Sequence, residues 1–276
     1  MTRQSVTRLT LTAAQLQQWK TDGYLIAPTL FDSQQIEELK TTLQNIADKG
    51  EPVSGWEPSP VSKQNNILSR YPRFMHPHRT IELAKKMLLD QRVCEVLTQL
   101  IGEKPCACQS MYYFKPPGSK GQALHQDNFY LDVEPQTCIA AWTAIDPVMP
   151  ENGGLYVVPG THRLDTQCPE LAREQESFTT HLVDVPKGLK AIPTHMHPGD
   201  VLFFNGQLIH GSGMNQSQTQ WRRSLICHYM PRSSRCVNEA YFPILDFNGN
   251  ELTYETSQAG GVCGEEWAEK PSSYQY

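Results

Sequence analysis

Apolar side chains recur at helical spacing through the first hundred residues of the chain. After Asp32 they lie three or four residues apart, which indicates one buried face of a helix that ends at Gly50: Ile36, Leu39, Leu43 and Ile46. A capping box at Thr12 opens an earlier helix, and a later helix is expected over about 80–100, with a break near Asp90. Residues 1–104 are therefore predicted to be mostly helical, with one short strand at YLIAP.

From Ala107 onward the pattern changes to short apolar runs separated by glycine and proline. The runs are ACQSMYYF, TCIAAWTAI, GLYVVPG, DVLFFNGQLIH and WRRSLICHYM. Such runs are typical of strands in a β-sandwich or barrel with helices packed outside. The polar stretches 51–66 and 165–190 are expected to be loops. We predict one domain, 1–276, mainly β with flanking α-helices: a helical N-terminal part (1–104), a strand-rich core (105–235) and a C-terminal extension (236–276).

The composition disfavours several classes of protein. The formal net charge is −5 and the pI is about 6.0, so neither nucleic acid nor a membrane is expected as a partner. No apolar run approaches the roughly 18 residues of a membrane span, and the N-terminus lacks the apolar stretch of a signal peptide. We expect a cytoplasmic protein. Its eight cysteines are scattered, which favours buried thiols over a disulfide framework, with a cysteine-based zinc site as the alternative.

The stretch ALHQDNFYL carries the first candidate chemistry. On a strand, side chains two positions apart share a face, so His125 and Asp127 could bind one ion, with Phe129 next on that face. Alone, this pair also fits ordinary polar alternation on a solvated edge strand. His210, which ends a later apolar run, completes a set of two histidines and one carboxylate. That set is typical of non-haem Fe(II) sites with open coordination positions.

A cation near this triad points to the co-substrate. Arg222 follows His210 by twelve positions (222 minus 210) on the next predicted strand. A guanidinium binds a carboxylate through two parallel hydrogen bonds, so Arg222 suits the far carboxylate of a dicarboxylate. Arg223 is the neighbouring alternative, but its side chain should point to the opposite face of the strand. The triad and Arg222 together suggest iron plus 2-oxoglutarate.

Several blocks of the sequence resemble one enzyme family. HQDNFYLDVEPQTCIAAWTAIDPVMPENGGLYVVPGTHR, HPGDVLFFNGQLIHGSGMNQS and WRRS are similar to the phytanoyl-CoA hydroxylase family of Fe(II)/2-oxoglutarate oxygenases, over about residues 107–230. The resemblance implies a double-stranded β-helix (a cupin-like jelly roll) that uses Fe(II), 2-oxoglutarate and O2. It matches the iron ligands to His125, Asp127 and His210, and the partner of the 2-oxoglutarate C5 carboxylate to Arg222. It also places at the co-substrate pocket Trp142, Ser212 and Met111.

The reaction implied by the resemblance is a dioxygenation. Such an enzyme decarboxylates 2-oxoglutarate to succinate and oxidises, most often hydroxylates, an aliphatic C–H bond. The expected substrate is a small organic metabolite of natural-product or amino-acid-derived metabolism. Related halogenases replace the carboxylate ligand with a small residue, so the retained Asp127 argues against halogenation. The residues expected to contact the substrate are Phe129, Tyr130, Trp56, Arg70 and His228.

Three other functions remain as alternatives at this point. One is an acyl-CoA hydroxylase, although no basic cluster for the CoA phosphates stands out. Another is a jelly roll that only binds a metabolite, although such a protein has no need of the triad and Arg222. A zinc hydrolase is disfavoured because no general base is placed beside the triad. The protein is expected to act on a small molecule as a monomer or homodimer.

Overall fold

The computed structural model describes residues 9–58, 70–135, 137–173, 175–258 and 261–264. The α-helices are α1 (Ala13–Asp22), α2 (Ser33–Lys49), α3 (Glu82–Leu88), α4 (Gln91–Ile101) and α5 (Asn128–Leu131). Four of these helices, α1 to α4, lie within the described residues of the N-terminal part. Of the predicted loop 51–66, the stretch 59–66 lies outside the described residues.

The helix ends follow local sequence signals. Thr12 and Asp32 form capping boxes at the starts of α1 and α2, and each cap is worth about 1 kcal/mol. Asp90 caps α4, so the predicted break between α3 and α4 is confirmed. Gly23 and Gly50 end α1 and α2 in the left-handed conformation, which glycine adopts without steric cost.

The strands are short and mostly antiparallel. In chain order they are β1 (Tyr24–Ala27), β2 (Phe74–Met75), β3 (Pro105–Tyr113), β4 (Gln122–His125), β5 (Ile139–Ala144), β6 (Leu155–Val157), β7 (Glu170–Leu171), β8 (His181–Leu182), β9 (Ile192–Pro193), β10 (Val201–Asn205), β11 (His210–Ser212), β12 (Ser224–Pro231), β13 (Cys236–Val237), β14 (Ile244–Leu245), β15 (Glu251–Leu252) and β16 (Glu255–Thr256).

Two antiparallel sheets hold most of these strands. The larger sheet has the order β1-β10-β5-β12-β3-β14-β15, with β2 paired to β3, and the smaller has the order β4-β11-β6-β9. None of the strand pairs in the described residues closes the two sheets into a barrel. The mainly-β jelly roll with flanking helices is therefore the observed architecture. No helix in the described part of the chain is both long and apolar enough to span a membrane.

The larger sheet buries a different apolar cluster on each face, because alternate residues of a strand point to opposite sides. Towards the smaller sheet, Trp142, Phe204 and Ile226 pack with Leu155 and Val157. Towards the helices lies a second cluster, which joins the sheet to α2 and α4 and includes Phe203, Leu225, Leu39, Leu43 and Leu97. The sheets and helices thus hold the strand ends in fixed positions.

The expectation of buried thiols rather than disulfides is wrong for one pair of cysteines. Cys168 and Cys263, 95 positions apart, form a disulfide. It joins the polar stretch 165–190 to the C-terminal extension, a proximity that only the folded chain creates. The six other cysteines are free, and all of these except Cys94 are buried, as expected. The polar stretch itself contains the two-stranded ribbon β7-β8.

Candidate metal and co-substrate site

Three predicted ligands converge at the edge of the smaller sheet. His125 ends β4 and faces His210, the first residue of β11, as its direct partner across the two strands. The Oδ1 atom of Asp127 lies 3.3 Å from Nε2 of His125 and 3.5 Å from Nε2 of His210. One ligand atom from each residue lies within 4.8 Å of the others, and all three residues are buried. One ion can therefore bind all three.

The local geometry differs from the prediction in one respect. Asp127 is not on the strand, because β4 ends at His125 and Asp127 takes helical backbone angles immediately before α5. Strand alternation is therefore not what places Asp127 beside His125. The chain turns at Gln126, and the first turn of helix brings the carboxylate back towards β4. Phe129, predicted to follow on the same strand face, lies within α5 instead.

Both histidines have one ring nitrogen fixed by the backbone. Nδ1 of His125 lies 2.8 Å from the carbonyl oxygen of Ala123, and Nδ1 of His210 lies 2.9 Å from that of Leu208. A carbonyl oxygen only accepts, so each Nδ1 donates and each Nε2 presents a lone pair. Burial lowers the pKa of His210 to about 4, which keeps that ring neutral near pH 7. Neutral imidazole is the form that binds a metal.

Asp127 is charged in this setting. Burial alone would raise the pKa of its carboxyl, but the neighbouring rings of His210, His228 and His125 outweigh burial and hold the pKa well below its usual value. Nε2 of His228 lies 2.9 Å from Oδ2, the carboxylate oxygen that does not face the triad. Two histidine nitrogens and one carboxylate oxygen thus meet at a point, and this donor set fits Fe(II).

A small, partly open cavity lies beside the triad. Its walls include the residues that the sequence placed at the co-substrate pocket: Met111, Trp142, Ser212 and Arg222. Further walls are formed by Tyr113, Gln122, Leu155, Gly211 and Ile226. The cavity therefore has a metal-binding end and a cationic side chain in its wall.

Arg222 is held towards this cavity by several contacts. It lies two residues before β12 rather than on a strand and is 3% exposed. Nη1 donates to Ser224 Oγ at 2.7 Å, Nε donates to the carbonyl oxygen of Gly153 at 3.2 Å, and the guanidinium lies over the ring of Trp142. Burial lowers its pKa to about 10, so it stays charged at neutral pH. Arg223 forms an ion pair with Asp146 at 3.0 Å instead.

The five predicted substrate residues are not brought together. Tyr130 and His228 line a second small cavity, which shares Asp127 with the first. Phe129 packs on the ring of His181 and is not among the residues lining either cavity. Trp56 is a core residue, because its ring packs on Phe74 and Phe114 and its Nε1 donates to a backbone carbonyl.

Arg70 also lies elsewhere, as a half-exposed partner of Asp48 at 3.7 Å. The expectation that Trp56 and Arg70 contact the substrate is therefore not supported by their positions. The N-terminal segment instead contributes Arg73, whose Nη1 donates to the Tyr113 hydroxyl at 3.2 Å and which lines the second cavity.

Sequence reasoning missed residues that approach the site from distant segments. Gln122 lies 3.0 Å from Nε2 of His125 through its side-chain amide, and Gln109 and Tyr241 line the second cavity. Lys115, read only as part of a Lys-Pro-Pro-Gly turn, has its Nζ 3.0 Å from Ser212 Oγ. Its position before two prolines was the available signal, because a fixed turn can aim a side chain inwards.

Comparison with known proteins gives a consistent result. The sequence model of the family described as phytanoyl-CoA dioxygenase (PhyH) matches residues 19–224. Phytanoyl-CoA dioxygenase 1 of Oryza sativa subsp. japonica is 30% identical over 152 residues, which is 55% of this chain and 54% of that protein. The match thus spans about half the length of the rice protein. Methylphosphonate hydroxylase of Gimesia maris is 28% identical over 239 residues, 84% of this chain and 86% of that protein.

Among solved structures, EctD from S. alaskensis with 2-oxoglutarate and 5-hydroxyectoine has a TM-score of 0.64 at 19% identity, covering 82% of this chain and 78% of that one. At this identity the likeness concerns the fold. The jelly roll and the His-Asp-His triad define a non-haem Fe(II)/2-oxoglutarate-dependent dioxygenase, an oxidoreductase that uses O2. The family model covers most of the chain, and the protein belongs to the phytanoyl-CoA dioxygenase family.

Proposed function

We propose that this enzyme hydroxylates an aliphatic C–H bond of a small polar metabolite and converts 2-oxoglutarate to succinate and CO2. The observation that carries the proposal is the meeting of His125, Asp127 and His210 beside a cavity that also contains buried Arg222. The three ligands would hold Fe(II), which with 2-oxoglutarate supplies the activation of O2.

The protein residues would divide the remaining work. Arg222 would bind the C5 carboxylate of 2-oxoglutarate in a bidentate fork, while Trp142 and Met111 would form the walls of that pocket. Ser212 offers a hydroxyl to the same carboxylate. Asp127 stays charged because its neighbours lower its pKa, so it would remain an anionic ligand through the pH range in which the enzyme works.

The second cavity supports a small polar substrate. It shares Met111, Tyr113, Gln122 and Asp127 with the first cavity, and it adds polar side chains that can form hydrogen bonds: Arg73, Gln109, Tyr130, Thr179, His228 and Tyr241. The relative from Gimesia maris is named for a small anionic substrate. A long acyl chain has no matching apolar channel among these walls.

Succinate formation tests the reaction. Protein incubated with Fe(II), 2-oxoglutarate and O2 should form succinate slowly alone and faster with a substrate; methylphosphonate and phytanoyl-CoA are the two probes that separate a small anion from an acyl-CoA. Asp127→Ala should abolish the activity, and the exposed carboxylate variant Asp184→Ala should retain it. If the wild-type protein binds neither Fe(II) nor 2-oxoglutarate, the proposed reaction is wrong.

A further inference from the structure

Lys115 lies buried behind the co-substrate cavity. The residue is 6% exposed, and its Nζ donates to Ser212 Oγ at 3.0 Å and to the carbonyl oxygen of Gly213 at 2.6 Å. Ser212 lines the cavity, whereas Lys115 does not. Any effect of the ammonium group on a bound molecule would therefore pass through Ser212 and through the electric field.

Lys115 and Arg222 are two neighbouring buried basic side chains. Burial lowers the pKa of Lys115 and the charge of Arg222 lowers it further, so an anion bound nearby would favour the charged ammonium form. Within the described residues, neither cation lies within ion-pair distance of an aspartate or glutamate, and both donate only to hydroxyl and carbonyl oxygens. Buried charges in proteins are nearly always paired, so two such cations together favour an anionic ligand.

Gly153 fits between the two cations. Its carbonyl oxygen accepts from Arg222 Nε at 3.2 Å. A Cβ at Gly153 would come within 2.5 Å of Lys115 Cε and 2.9 Å of its Nζ. Because Gly153 has no side chain, the side chain of Lys115 can occupy that space. The carbonyl oxygen of Gly153 also holds the guanidinium of Arg222.

The backbone of Lys115 is strained, and its carbonyl oxygen binds the Arg222 backbone. Its φ of +36° is in the left-handed region, which a lysine rarely adopts. Its carbonyl oxygen accepts from the Arg222 backbone N–H at 3.2 Å and from Asn215 Nδ2 at 3.1 Å. Strain that persists because surrounding contacts enforce it is found mainly at functional sites.

We propose that Lys115 is a positioning residue for the distal carboxylate of 2-oxoglutarate. Its ammonium holds the Ser212 hydroxyl towards the cavity and adds a second positive charge beside Arg222. This inference rests on the proposed co-substrate site. Its consequence is selectivity: Lys115 strengthens binding of the dicarboxylate 2-oxoglutarate and has little effect on 2-oxopentanoate, which has the same 2-oxo acid group and a methyl in place of the distal carboxylate.

The experiment measures the dissociation constants of both 2-oxo acids by calorimetry on Mn(II)-loaded protein. Lys115→Met should weaken 2-oxoglutarate about 10- to 100-fold, as expected for the loss of a charge-assisted interaction, and 2-oxopentanoate less than about threefold. Lys115→Gln keeps a hydrogen-bond donor without the charge and should weaken 2-oxoglutarate by about tenfold. Lys190→Met, which alters an exposed lysine, should change neither constant.

The outcomes separate the two proposals. Wild-type protein that does not bind 2-oxoglutarate contradicts the proposed function itself. If the wild type binds 2-oxoglutarate and both Lys115 variants bind it as tightly as the wild type does, the role of Lys115 is refuted. An equal loss of affinity for both 2-oxo acids assigns Lys115 a merely structural role, as does failure of both variants to fold by circular dichroism, and either result overturns the inference.

Discussion

His228 holds the outer carboxylate oxygen of Asp127, with 2.9 Å between Nε2 and Oδ2, although the two residues are 101 positions apart. A carboxylate oxygen only accepts, so Nε2 of His228 carries the proton. Oδ2 is thereby occupied and Oδ1 is left facing His125 and His210. His228 is 1% exposed. The sequence had suggested a substrate contact for this residue, and its geometry indicates a role in orienting a metal ligand as well.

Replacement of His228 should weaken metal binding. Partners that orient a ligand typically contribute about 10- to 100-fold to metal affinity, so His228→Phe should raise the dissociation constant for Fe(II) or Mn(II) by that factor. His228→Gln retains a donor for Oδ2 and should recover part of the affinity. The measurement is anaerobic titration with the metal, with the exposed His195→Gln variant as control. Unchanged affinity in His228→Phe would show that Asp127 is oriented without it.

Neighbouring arginines should give opposite phenotypes. Arg222→Met removes the cation in the cavity wall and should raise the KM for 2-oxoglutarate about 100-fold, with little change in stability. Arg223→Met breaks the ion pair with Asp146 and should lower the free energy of unfolding by about 3 kcal/mol, with the KM unchanged. Steady-state kinetics and urea unfolding of both variants test this. A KM effect in Arg223→Met alone would reverse the assignment.

Gly153→Ala should affect the co-substrate site as well as stability. Gly153 and Gly188 both have φ near +80° to +90°, but an added Cβ meets Lys115 at Gly153 and nothing within 4 Å at Gly188. Each alanine should cost about 1 kcal/mol in backbone strain. Only Gly153→Ala should also weaken 2-oxoglutarate binding, because it displaces Lys115. Thermal unfolding and binding measured on the same two variants distinguish these effects, and equal binding would contradict the close packing.

Buried His78 and half-buried His76 should make stability depend on pH. Burial lowers the pKa of His76 to about 4 and that of His78 to about 3, below the ordinary value of about 6.5. At pH values between the folded and the ordinary pKa, the unfolded chain binds more protons than the folded chain. The folded state therefore loses stability as the pH falls below about 6.5, by at most about 1.4 kcal/mol per pH unit for each histidine.

Urea unfolding between about pH 7.5 and pH 5 measures this slope. His78→Asn should reduce it because one buried group no longer titrates, whereas His195→Gln, at an exposed position, should leave it unchanged. The slope is the relevant quantity, since His78 Nδ1 also lies 2.7 Å from Ser110 Oγ and the substitution alters stability at every pH. Stability that rises on acidification would show that these rings are protonated in the folded state.

Local signals explain which parts of the fold could be predicted. The capping boxes at Thr12 and Asp32 and the terminal glycines act within one turn of helix, so they are visible in a few consecutive residues. Before Ala107 the apolar residues have the spacing of helices with one buried face, and after it they form short runs typical of buried strands. The ligand types at 125, 127 and 210 could be chosen because their chemistry suits Fe(II). None of these inferences needed a distance in space.

Trp56 shows where that reasoning stops. Its sequence context, a loop rich in proline and serine, gave no sign that the ring would be 1% exposed beneath Phe74 and Phe114. Asp127 shows a second limit, since a spacing of two residues predicted a strand and the chain formed a helical turn there. The disulfide between Cys168 and Cys263 is a third, because two distant loops had to meet first.

The sequence by itself determined the family, the metal-binding residue types and most helix and strand positions, because these depend on short-range patterns and on side-chain chemistry. Only the tertiary structure decided that His228 holds Asp127 and that Lys115 lies against Ser212, 97 positions away. Those contacts depend on how the two sheets pack, since packing fixes which distant side chains share a buried space and must satisfy each other's charges and hydrogen bonds.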